Sequence, residues 1–174
     1  MKKMKNQIML LATILFLGLG ITSCQKSETD NLEPIGKVRI EDNAAVYKKL
    51  MNARTNFKGS SFEILEIVRN ANIVTIVVEG GCDTQAYKVI WDGVINFTEP
   101  ANPSMVLGFA NVVISHEPVL AVQCLAVMKH KIEVDLQILL GKAYYPNINL
   151  QVSNSSKIED KIVDPNGVVT IKKK

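Results

Sequence analysis

The sequence predicts an all-β fold: an antiparallel β-sandwich, Ig-like or related, with at most one short helix near its N-terminus. Three observations carry this. The stretch Ile73–Phe97 opens as an apolar β-branched run, breaks at Gly80-Gly81-Cys82, and resumes as Tyr87–Trp91 before Asp92-Gly93. Gly-containing pairs between such runs are the strongest local hairpin signal, so Val94–Phe97 is expected to fold back on Tyr87–Trp91. Strand-like runs and turn signals then alternate every ~8–12 residues to the end of the chain, the rhythm of a sandwich or barrel.

The chain begins with a basic segment, MKKMKNQ, followed by the apolar run Ile8–Ile21. That run is shorter than the ~20 residues that span a bilayer, and it has the form of the apolar core of a secretion signal. Ile21-Thr22-Ser23-Cys24 resembles the lipobox of bacterial lipoproteins. The resemblance implies removal of residues 1–23 and acylation of Cys24. Two or three chains at ~0.8 kcal/mol per buried CH₂ hold a protein stably on a membrane. The alternative is an ordinary secretion signal that contains a cysteine. Gln25–Pro34 (QKSETDNLEP) is polar and aperiodic and reads as a flexible tether. Its Lys26, Glu28 and Asp30 loosely resemble the charged stretch that directs some Bacteroidetes-type lipoproteins to the outer face of the outer membrane. The expected organisation is a signal over residues 1–23, a lipidated cysteine and tether over 24–34, and one β-domain over 35–174. The expected location is the outer membrane, on its periplasmic or its cell-surface side.

Lys2, Lys3 and Lys5 lie in the signal, so the 20 Lys+Arg of the whole chain fall to 17 beyond it, level with 17 Asp+Glu. The net charge of +3 therefore belongs to the signal. No basic field is left to favour nucleic acid as a partner, and Lys172-Lys173-Lys174 reads as a solvated end.

Within the domain, Ile35–Ile40 is a first strand and Ala44–Asn52 a short helix capped by Asp42 or Asn43. Ser60–Asn70 carries two signals. Ser60 with Glu63 has the form of a helical capping box, whereas Phe62, Ile64 and Val68 alternate with charged residues as in a strand. With Asn70-Ala71-Asn72 leading straight into Ile73–Glu79, the strand reading is preferred. Tyr87, Val89 and Trp91 share one face of their strand, opposite Lys88 and Ile90. Pro100 and Pro103 mark a loop. Val106–Ser115, Leu120–Val127, Lys131–Leu136 and Asn147–Ser153 supply further strands, and Ile158–Val163 and Val168–Ile171 flank the turn Asp164-Pro165-Asn166-Gly167. The expected core includes Ile76, Val78, Val89, Trp91, Leu125 and Leu136.

With Cys24 assigned to lipid, Cys82 and Cys124 form an even pair in an oxidising compartment, which favours a disulfide. In the chain-entropy picture such a bond stabilises by about 4 kcal/mol. The alternative is two buried free thiols. The Gly80-Gly81-Cys82 break, the strand ending in Trp91, and Val134-Asp135-Leu136 with Leu139-Leu140 resemble a group of small Bacteroidetes-type lipoproteins of unassigned function. The resemblance runs over roughly residues 62–152. It implies a surface β-domain and supplies no activity. Gln85 stands where that group typically has histidine, and the segment Glu117–Gln123, which follows Ser115-His116, is more apolar than its counterpart.

The sequence shows no recognised catalytic motif. His116 and His130 are the only histidines. Neither lies in a nucleophile–base motif, and both read as surface residues, with a metal pair completed by Asp135 as the alternative. Glu79-Gly80-Gly81-Cys82 lacks the lysine, the length and the following helix of a phosphate loop, and Glu159-Asp160 beside Lys157 and Lys161 reads as a solvated turn or strand face rather than an acid/base pair. No cofactor or metal is expected. Tyr144-Tyr145-Pro146 is the one exposed-looking aromatic cluster, able to stack on a sugar ring or a partner; the alternative is plain packing. The reading is thus a lipid-anchored binding or structural module rather than an enzyme, with Tyr144 and Tyr145 meeting a protein or glycan. An envelope enzyme with a site assembled from distant residues, or an inhibitor-like sandwich, are the competing classes.

Overall fold

The computed structural model describes residues 32–33, 38–58, 61–80, 86–98, 107–117 and 128–172. All belong to the unit Asn31–Lys174. Cys24, Cys82, Cys124 and Leu125 lie outside the described residues. The elements are β1 (Leu32–Glu33), β2 (Arg39–Asp42), α1 (Ala44–Ala53), β3 (Glu63–Asn70), β4 (Ile73–Glu79), β5 (Tyr87–Phe97), β6 (Gly108–His116), β7 (Lys129–Asp135), α2 (Leu136–Leu140), β8 (Ile148–Asn154), β9 (Asp160–Val163) and β10 (Val169–Lys172).

The strands make two sheets, one of four in the order β1-β7-β4-β3 and one of six in the order β10-β9-β8-β6-β5-β2. The fold is the expected all-β sandwich type, but its pairing is not purely antiparallel: β1–β7, β2–β5 and β6–β8 run parallel. Parallel pairs need long crossovers, which hairpin reading along a sequence does not register. Leu32 and Glu33, placed in the tether by composition, already pair with Lys129 and His130.

Alternation fixes the core. Ile64, Ile67, Val74, Ile76, Val78, Ile132 and Val134 of the smaller sheet are buried against Tyr87, Val89, Trp91, Val112, Ile114 and Val152 of the larger. Of the expected core, Ile76, Val78, Val89, Trp91 and Leu136 are all buried. Within the stretch 60–70, Glu63–Asn70 forms strand β3, joined to β4 through Ala71 in the left-handed region (φ +54°); Ser60 lies outside the described residues. Helix α1 starts where Asn43 Oδ1 accepts the Val46 amide at 3.1 Å and packs against β5 and β6. There Tyr47 approaches Ser153, Asp92 and Asp160 on the face of the larger sheet turned away from the core. Burial, then the two carboxylates, push its phenol up to about 12. The helix ends at Arg54, whose Nη1 lies 2.8 Å from Asp160 Oδ1 with both side chains buried. Its Nε and Nη2 donate to the Lys157 and Glu159 carbonyls.

The Asp92-Gly93 turn is a correction. β5 runs unbroken through it, and the pair forms a bulge. Trp91 faces Val112 and Ile95 faces Ala110, so Asp92, Gly93 and Val94 sit across from Asn111 alone. A bulge and a tight hairpin both call for a glycine at positive φ, here +78°. Asp92 selects the bulge, accepting the Val94 amide through one carboxylate oxygen and the Asn111 side chain through the other. The stretch ending at Leu136 also differs. Asp135 Oδ1 accepts the Gln137 and Ile138 amides, which starts α2 rather than extending β7.

One flank is stitched by polar side chains. Arg69 on β3 donates to the carbonyls of Ala71, Ile148 and Pro146. Lys161 donates to Ile64 O, and Asn154 to Phe62 O at 2.8 Å. Side-chain bonds thereby cross between the sheets in both directions, and one carbonyl of β3, Ile64 O, is taken up by the opposite sheet.

Candidate functional site

The sandwich has two ends, and each gathers aromatic rings. At the first, β5 runs out as β6 and β8 begin: Phe97 pairs with Gly108, and Gly108 with Ile148. Tyr144 and Tyr145 enter this end from a 3-10 turn, Gly141–Ala143, that follows α2. Both are half-buried and pack against the core. Tyr145 is seated on backbone: a methyl group built at Gly108 would lie 1.5 Å from its hydroxyl, so only glycine fits beneath it. Burial raises the Tyr145 phenol, and the Gly108 backbone offsets part of that rise. On Tyr145 lies Phe97, centroids 6.1 Å apart and planes 14° from parallel. Phe97 is 60% exposed. Thr98, next in the chain, is clipped to Leu107 O through its amide at 3.0 Å and its hydroxyl at 3.3 Å, which fixes the end of β5. Phe97 was not among the residues singled out in the sequence. A lone phenylalanine in a strand carries no mark of exposure, and its neighbour Tyr145 is remote in the chain.

At the second end, β4 and β6 stop as β5 and β7 start. Tyr87 sits between His116, at 4.7 Å from ring centroid to ring centroid, and His130, at 5.4 Å, with Phe62 edge-on at 5.4 Å. Its hydroxyl donates to Gly80 O at 2.5 Å, and burial raises its pKa. The surface reading of the histidines is corrected here: His130 is fully buried and His116 half-buried. The signal that finds His130 is the strand alternation itself, since His130, Ile132 and Val134 occupy successive inward positions of β7. The adjacent Lys129 and Lys131 hide it by making the stretch look uniformly polar.

Asp135 does not join these histidines. It stands at the opposite end of β7 from His130, about 17 Å away at ~3.3 Å per residue, where burial favours its neutral form but bonds from the Asn72 side chain and the Gln137 and Ile138 amides outweigh this and hold the carboxyl below its usual range. Among the described residues no group of three His, Cys, Asp or Glu side chains is placed to hold a metal ion. No helix among them is long and apolar enough to cross a membrane.

The chain matches no protein-family profile, no curated protein and no solved structure. The geometry of the two ends therefore carries the functional reading. The first offers an exposed ring on a rigid seat, suited to stacking against a flat apolar surface. The second encloses its rings and serves to close the core.

Proposed function

We propose that this chain is a lipid-anchored domain of the cell envelope, held at the outer membrane through Cys24, that binds a protein or glycan partner through the end bearing Phe97 and Tyr145. The observation that carries the binding reading is the Phe97 ring, left mostly in solvent yet stacked on a tyrosine that Gly108 holds in place. A large aromatic with few rotatable bonds gives contact area at low entropic cost. Tyr144 belongs to the same rim. The basic leader, its short apolar run and Cys24 support the anchor, and the likeness to small Bacteroidetes-type lipoproteins supports an envelope setting.

The binding reading is tested by capturing partners on the mature domain from its own envelope and growth medium, then repeating with Phe97→Ala and Tyr145→Ala together. Loss of the captured partner with the fold intact supports it. Loss that merely tracks unfolding, or turnover of a substrate abolished by His116→Ala, overturns it. Labelled palmitate tests the anchor: Cys24→Ser should abolish the label, and an unlabelled wild-type protein cut elsewhere ends the claim.

A disulfide between Cys82 and Cys124 belongs to the same proposal. Its support is topological. The Gly80 amide donates to Met128 O at 3.0 Å, and the connections that carry the two cysteines, β4 to β5 and β6 to β7, both leave the enclosed end. Peptide mapping without reduction should recover the two as one cross-linked species.

A further inference from the structure

Four edge strands bound the two sheets, and three are short, covered or occupied. β1 has two residues, β2 leads directly into α1, and β3 is bulged between Ile64 and Glu66 and gives its Ile64 carbonyl to Lys161 of the facing sheet. β10 differs. It is the terminal strand of the six-stranded sheet, all four of its residues are exposed, and among the described residues only β9 pairs with it. Val169 and Ile171 stand opposite Val163 and Lys161, so they point to the same side of the sheet as the core, yet neither joins it. The larger sheet overhangs the smaller one here. Val168, Val169 and Ile171 are 60%, 38% and 53% exposed.

The overhang is nevertheless well built. Asp164 Oδ1 accepts the Asn166 and Val168 amides at 2.9 and 2.8 Å, the Asp164 amide donates to Val168 O, and Gly167 adopts φ +83°. The turn thus holds β10 extended without help from the core. An edge of this kind presents unpaired backbone groups to any extended segment. The charge on it is positive: Lys172, continued in the sequence by Lys173 and Lys174.

We propose that β10 is a strand-addition site for an extended segment of a partner protein that alternates apolar side chains with carboxylates. The backbone of the incoming strand completes the ladder, its apolar residues cover Val169 and Ile171, and its carboxylates meet Lys172. This site lies on the sheet edge and does not depend on the contact end proposed above.

The test uses the full chain in detergent and a dye-labelled, end-capped peptide alternating valine and glutamate, with a valine–lysine peptide as control. The expected result is binding of the first peptide alone, weakening as salt rises, with slowed hydrogen exchange confined to β10 and its turn. Reversing charge with Lys172→Glu, Lys173→Glu and Lys174→Glu should weaken it about tenfold, and Ile171→Ser should weaken it without altering Trp91 fluorescence. Equal affinity for both peptides, or no protection in β10, overturns the proposal. So does protection of β10 that rises with protein concentration when no peptide is present, because the occupant is then a second copy.

Discussion

At the enclosed end Tyr87 is sealed between His116, His130 and Phe62, while at the open end Tyr145 carries Phe97 into solvent. Both are ring-on-ring contacts, one at each mouth of the same sandwich. The difference is what surrounds them. Around Tyr87, His116 and His130 come from strand positions and Phe62 from the residue just before β3, and the Tyr87 hydroxyl is satisfied by Gly80 O. Around Phe97 the strand has passed the Asp92-Gly93 bulge and the core beneath it is a single tyrosine. Burying a phenylalanine contributes ~1.5–3 kcal/mol, so a domain that leaves one 60% exposed forgoes much of that. Equal residue chemistry therefore gives a structural plug at one end and an available surface at the other.

The comparison predicts unequal losses of stability. Tyr87→Ala should cost about 3–5 kcal/mol, as aromatic truncations in packed cores do, read from denaturant midpoints. A cost near that of a surface change would place the enclosed end outside the core. Removing Asp160 as Asp160→Ala strands the Arg54 guanidinium beneath α1, and breaking such a buried pair costs on the order of 3–5 kcal/mol. Chemical denaturation of the Asp160→Ala protein beside an Arg54→Met, Asp160→Leu double variant separates the lost pair from lost packing. At the open end Phe97→Ala should change stability by under about 1 kcal/mol, in the range of exposed substitutions, while weakening partner capture by at least that amount. If its stability loss equals that of Tyr87→Ala, the two ends are alike and the contact reading fails.

The smallest effect concerns pH. Asp135 has its carboxyl lowered in the folded protein, so it binds a proton less readily there than in the unfolded chain. Its contribution is present above the unfolded value of ~4 and is lost as pH falls through the lower folded one. Wild type should therefore lose stability more steeply than Asp135→Asn as pH drops below about 4. Parallel acid melts would remove Asp135 from this role.

What the sequence disclosed depended on how local the cause was. The β3–β4 hairpin, the helix cap and the Asp164–Gly167 turn are set by residues a few positions apart, and all three were legible, the cap to within one residue, Asp42 or Asn43. Asp92-Gly93 was misread because hairpin and bulge ask for the same glycine, and Asn111, which helps hold the bulge, comes from another strand. α2 was missed because five residues show no helical period, although Asp135 just before Leu136 is a helix-start signal. His130 was obscured by its lysine neighbours, and Phe97 by the distance to Tyr145. Arg69 and Lys161, which look like ordinary surface charges, proved to be the stitches between sheets.

The parallel pairing of β6 with β8 bears on how the molecule is made. β8 fills the slot between β6 and β9, yet it follows β7 and α2 in the chain. As the polypeptide emerges N-terminus first, β5 and β6 can zip together early, but one side of β6 then waits, apolar and unpaired, until β8 arrives. Distant pairings of this kind slow folding, and waiting edges are where nascent chains stick to one another. A chain truncated before Ile148 would expose β6 permanently, which makes aggregation, rather than a smaller soluble domain, the expected fate of such a fragment.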